Sequence, residues 1–130
     1  MTRYDKSFLI FGALSLTAAT MLGAYGVHGL GDTITAQKQQ SWGWAVELQS
    51  YHSLGLILIA LLSPHLRRST LLRWAGWIFI VGIFLFSGTI YLPILGAPDA
   101  IGKITPTGGM SFMLGWVLVA LAVWLTPAER

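Results

Sequence analysis

Two imidazoles and one carboxylate stand out in the apolar stretches of this chain: His28, Glu47 and His52. Imidazole nitrogen and carboxylate oxygen both suit divalent cations, so the three together point to a metal-binding or proton-handling site. Near them in the expected topology lie the hydroxyls of Tyr51, Ser87, Thr89, Tyr91, Thr105 and Thr107. These offer a second reading, in which neutral histidines belong to a hydrogen-bond network that clamps helix ends. The spacing favours the network, because the chain lacks the i, i+4 histidine pair of a zinc-binding helix. The sequence contains no cysteine, which removes disulfides, thiolate nucleophiles, cysteine-ligated iron-sulfur clusters and thiolate zinc sites together. No nucleophile elbow, Ser-x-x-Lys, phosphate loop or His-Glu-x-x-His motif occurs, so the chain reads as non-enzymatic, and no cofactor is specified.

The elements that must position these groups follow from composition. Of 130 residues, 55% are hydrophobic and 10% charged, whereas a soluble domain carries roughly 25% charged residues. The formal charge of +3 is dispersed in short segments between apolar runs, unlike a nucleic-acid-binding face. Ser7 to Gly31, Leu48 to Leu66, Trp74 to Pro98 and Ile104 to Ala128 contain no Asp, Glu, Lys or Arg. About 20 apolar residues cross a hydrocarbon layer about 30 Å thick, and backbone groups in lipid must be satisfied internally, so each run is a helix. The expectation is one all-α membrane domain over residues 1–130, a four-transmembrane-helix bundle with helices at about 7–27, 45–63, 74–92 and 106–125.

Gly29 and Gly31 offer a stop for the first helix, and Asp32 a cap for the second. Pro64 closes the second; Thr105 and Pro106 suit the cap and first turn of the fourth, with Pro127 beyond its end. Trp42, Trp44, Trp74, Trp77, Trp124 and Tyr91 fall near proposed boundaries, where amphipathic rings settle among headgroups, while Trp116 is mid-span. Arg3, Lys6, Arg67, Arg68, Arg73 and Arg130 lie on one side and Lys38 and Lys103 on the other, which places both termini in the cytoplasm of a cell inner membrane. Met1 to Lys6 resembles a charged leader, but the apolar run that follows is longer than the roughly 7 to 15 residues of a signal core. The second span is the weakest, because Gln49, Ser50, His52 and Ser53 precede its apolar part; a single helix over Thr33 to Ser63, interfacial at first, is the alternative.

Gly12, Ser15, Ala19, Gly23 and Gly26 form a smooth stripe on the first helix, and Gly108, Ser111 and Gly115 repeat the spacing on the fourth. Such stripes allow close helix approach, either in a dimer or, as favoured here, within the same bundle. With both termini inside, His28, Glu47, Tyr51, His52, Ser87 and Thr105 converge on the outer half. His65, after Pro64, reads as an anchoring turn near headgroups.

The segments GAYGVHGL (Gly23 to Leu30), ELQSYHSLGLILIALL (Glu47 to Leu62), GWIFIVGIFLFSGTIYL (Gly76 to Leu92) and ITPTGGMSFMLGWVLVALA (Ile104 to Ala122) resemble the domain-of-unknown-function 423 family. These are small bacterial inner-membrane proteins similar to the eukaryotic transmembrane protein 256 group. The family usually carries an aromatic where this chain has Leu48. The resemblance implies a multi-helix membrane fold and no established activity.

Three functions follow as expectations. The first is an accessory or assembly subunit, bound to lipid and to a larger membrane protein complex or a second copy through its glycine faces, without nucleic acid. The second is an oligomeric transporter or channel with a shared polar seam. The third is a lipid, quinone or metal binder using the outer polar cluster.

Overall fold

The computed structural model describes residues 1–67 and 69–128. Arg68 and Arg130, both counted in the charge argument, lie outside the described residues. Among the described residues every regular element is helical: α1 (Arg3–Tyr25), α2 (Ala36–Leu62), α3 (Thr70–Ile83), α4 (Thr89–Ile94) and α5 (Thr105–Trp124). A π-helical turn, Gly26–Leu30, and a 3-10 turn, Gly31–Thr33, extend α1; a second π turn, Phe84–Gly88, fuses α3 to α4. Four continuous helical rods result, Arg3–Thr33, Ala36–Leu62, Thr70–Ile94 and Asp99–Trp124, each long and apolar enough to cross a membrane. The second has 27 residues, about 40 Å at 1.5 Å per residue, more than the roughly 30 Å of hydrocarbon.

Several helix ends differ from expectation for local reasons. The first helix starts at Arg3 because Thr2 and Asp5 form a capping box, each side chain taking the other's backbone N–H. Asp32 does not cap α2; it lies in the 3-10 turn, and the Thr35 hydroxyl accepts from Lys38 N at 3.2 Å instead. The second helix therefore begins well before residue 45, close to the single-helix alternative. The third rod starts at Thr70, and Arg73 within it stacks over Tyr4 with its guanidinium carbon 4.4 Å from the ring centre. Ile104, not Thr105, is the cap of α5, and Pro106 falls in its first turn.

The glycines set how the rods pair. Gly12 meets Ser53 and Ile57, Gly23 meets Val46, and Gly26 meets Trp42, a reversed order that makes α1 and α2 antiparallel. Gly82 and Gly115 likewise receive the rings of Phe112 and Phe79, joining α3 to α5 in antiparallel fashion. A Cβ at Gly12 would lie 2.8 Å from the Ser53 carbonyl oxygen, so this crossing tolerates hydrogen alone. The core has two parts. Phe8, Leu56, Ile59, Leu72, Phe79 and Phe112 fill the end near the termini and the middle, and Leu30, Trp42, Ala45 and Tyr91 fill the far end. Trp42, expected among headgroups, is buried there, because the π turn after α1 offers Gly26 beneath its indole; its neighbour Trp44 is 52% exposed.

Candidate functional site

The polar interior is built around Gln49. Its side chain is 6% exposed and engages two other helices. The amide nitrogen donates to the Ser15 carbonyl at 3.0 Å and the Ser15 hydroxyl at 3.2 Å, while its oxygen accepts from the Tyr91 hydroxyl at 2.7 Å. Ser53, one turn along, places its hydroxyl 2.7 Å from that of Ser15 and 2.6 Å from the Gln49 carbonyl. Small residues on α1 let α2 come near enough for this, so the packing stripe and the polar network are one feature. Gln49, Ser15 and Ser53 were not among the expected site residues. The signal was an amide within an uncharged run of membrane length, which needs partners on neighbouring helices.

His52 lies on another face of α2 and is 3% exposed. Its ring stacks on Phe112 with centres 3.5 Å apart and planes 10° apart, and Phe79 meets it edge-on at 5.1 Å. The Leu48 carbonyl is 2.6 Å from Nδ1, and the Trp116 indole N–H donates to Nε2 at 3.0 Å. An indole only donates, so Nε2 is the acceptor and Nδ1 carries the proton. Both nitrogens of the neutral ring are occupied. The mid-span Trp116 thus has a partner that its position demanded.

The remaining expected site residues do not gather. Ser87 is buried and donates to the Ala45 carbonyl at 2.7 Å; Thr105 lies 2.7 Å from the Thr89 hydroxyl. Glu47, His28 and Tyr51 are exposed, Tyr51 by 54%. Glu47 and His52 are five residues apart, about 140° around a helix at 3.6 residues per turn, so one faces out while the other faces in. The expected metal site of His28, Glu47 and His52 is therefore corrected: among the described residues no group of three His, Asp or Glu could hold an ion. Likewise, Gly12, Ala19, Gly23, Gly26 and Gly115 are turned to neighbours within the chain, and Ser111 donates to the Thr107 carbonyl at 3.0 Å. The glycine faces expected to dock a partner are occupied internally.

Helix irregularities are also satisfied from within. Gln39 donates its amide N–H groups to the carbonyls of Gly26 at 2.9 Å and Gly31 at 2.6 Å, the first residues of the π turn and of the 3-10 turn that follows it. Trp42 donates to the Leu22 carbonyl at 2.8 Å, and its ring lies 4.7 Å from that of Tyr91. Among the described residues no buried side-chain nitrogen or oxygen lacks a partner. Near the termini, Asp5 is buried beside a cavity of about 140 Å³ lined also by Ser63, Ser69 and Arg73. The Thr-x-x-Asp pattern at Thr2 was its legible sign.

Four apolar rods closed by interhelical hydrogen bonds define a small polytopic helical membrane protein. Comparison gives the same class. Residues 22–109 match the family described as "Protein of unknown function (DUF423)". A "UPF0382 membrane protein" of Staphylococcus epidermidis (strain ATCC 12228 / FDA PCI 1200) is 40% identical over 117 residues, covering 90% of this chain and 94% of the relative. The "UPF0382 membrane protein YwdK" of Bacillus subtilis (strain 168) is 38% identical over 117 residues, covering 90% and 95%. The chain belongs to the DUF423 family. No solved structure matches it.

Proposed function

We propose that the protein is a non-enzymatic accessory or assembly subunit of the inner (plasma) membrane, with both termini cytoplasmic, and that it acts through the outward face of α2. One observation carries this reading: Glu47 and Tyr51, four residues apart, are exposed on the same face of a membrane-length helix. The polar groups of the interior are meanwhile engaged with one another. Glu47 is three residues beyond Trp44, about 5 Å further along the helix. A carboxylate facing hydrocarbon is costly, up to about 2.5–3.5 kcal/mol at the bilayer centre and less toward the headgroups, and is stabilised by a neighbour with donors, either a larger membrane protein complex or a second copy of the chain.

The test is a photoreactive side chain placed at Tyr51 in native membranes, with Val117 on α5 as the control position. A discrete protein adduct at Tyr51, lost on Glu47→Leu, is the expected result. Adducts with lipid alone, or equal adducts at both positions, would refute the reading. Reporter fusions at each terminus check the orientation, which requires both in the cytoplasm.

A further inference from the structure

A groove of about 590 Å³ opens between the first half of α2 and the corner formed by α4, the 3-10 turn Asp99–Ile104 and the start of α5. It lies at the far end of the bundle from the termini. The corner exists because Gly96 adopts φ +111° after Pro93 and folds the chain back. Trp44, Phe86, Ile90, Ile94 and Pro106 supply apolar walls, and Lys38 is the only charged side chain lining the groove among the described residues.

The charge and the apolar walls are separated along the membrane normal. Lys38 stands in the first turn of α2, six residues before Trp44, so about 9 Å above it. Trp44 is exposed at the level where amphipathic rings meet headgroups. Phe86 lies eight residues below Ile94 in the same rod, so the floor descends about 12 Å. A ligand complementary to this surface has an anionic head above and an apolar tail below. The volume is of the order of ligand pockets in general, about 300–1,000 Å³.

We propose that this groove binds one anionic phospholipid, its phosphate against Lys38 and one acyl chain along Phe86 and Ile90. The inference is independent of the role assigned to Glu47 and Tyr51.

The test uses the full chain reconstituted in phosphatidylcholine vesicles, with either phosphatidylglycerol or phosphatidylcholine brominated on its acyl chains. The emission belonging to Trp44 is the difference between wild type and Trp44→Phe. One lysine near a membrane surface contributes about 1 kcal/mol, so brominated phosphatidylglycerol is expected to quench Trp44 at about fivefold lower mole fraction than brominated phosphatidylcholine. Lys38→Gln removes that preference, Lys38→Arg keeps it, and Ile90→Phe, which narrows the floor, reduces it. Circular dichroism confirms the helical content of each variant. Equal quenching by both lipids, no quenching by either, or a preference that survives Lys38→Gln would overturn the proposal. So would an unchanged preference in Ile90→Phe, which would mean surface attraction without a groove.

Discussion

Trp116 donates its indole N–H to Nε2 of His52 across the α2–α5 interface at 3.0 Å, while the same imidazole lies flat on Phe112. This pairing fixes the tautomer and leaves the ring without a free lone pair. It ties α5 to α2 by a directional contact in a place where lipid supplies no hydrophobic drive for helix association.

Trp116→Phe is expected to destabilise the protein by about 1–3 kcal/mol, because Nε2 is left buried and unpaired. Removing both partners in Trp116→Phe with His52→Phe costs less than the sum of the single changes. Unfolding titrations with a denaturing detergent, read by circular dichroism, measure all three. Strict additivity would exclude the coupling.

Gln49→Leu strands the Tyr91 hydroxyl and loses two donations to Ser15. Interhelical hydrogen bonds in membranes are worth about 0.6–2 kcal/mol each, so losing three is expected to cost about 2–6 kcal/mol, with Tyr91→Phe losing about 1 kcal/mol. The same titrations apply, and Tyr91→Phe is expected to have little further effect in a Gln49→Leu background.

Two glycines of α2 and α1 are expected to respond with opposite signs. Nothing lies within 4 Å of a Cβ built at Gly43, whereas at Gly12 the Ser53 carbonyl oxygen is 2.8 Å away. Gly43→Ala gains helix propensity of up to about 1 kcal/mol with no steric cost. Gly12→Ala must separate α1 from α2 and is expected to destabilise despite the same propensity gain. Thermal unfolding in mild detergent distinguishes the two directions.

Thr2→Ala removes one half of the capping box and is expected to cost about 0.5–2 kcal/mol at the start of α1. Hydrogen exchange gives the local readout: faster exchange of the Asp5 amide, whose acceptor is the Thr2 hydroxyl at 3.1 Å, with Gln49 and its neighbours unaffected.

The four rods were legible because uncharged runs of membrane length have a single backbone solution in lipid. Their ends were less legible: Thr2 and Thr35 cap from polar flanks outside the apolar runs, and fraying, π and 3-10 turns leave no hydropathy signature. The far-end location of Ser87 and Thr105, and the mid-span depth of His52, could be read by counting from the termini. Their partners could not, because counting along a helix fixes depth and not azimuth. Glu47 and His52 show the difference, being close in depth and nearly opposed in direction. Gln49 reads in the sequence only as a polar weakness of the second span, because an amide does not titrate, although burial makes its three hydrogen bonds obligatory. Trp42 was misplaced because the same aromatic serves a headgroup belt or a buried seat, and only Gly26 beneath it decides between them.

The π turn at Phe84–Gly88 carries one more residue than an α-helical turn of the same rise. Its five residues sweep about the same angle as four in an α-helix, so everything beyond stands about 100° from where an unbroken α-helix would place it. Were the same residues to continue as regular α-helix, Tyr91 would swing off Gln49 and Thr89 off Thr105. This segment is thus a phase adjuster, and a single-residue deletion should be tolerated better within it, where a regular helix then keeps both contacts, than one turn earlier in α3.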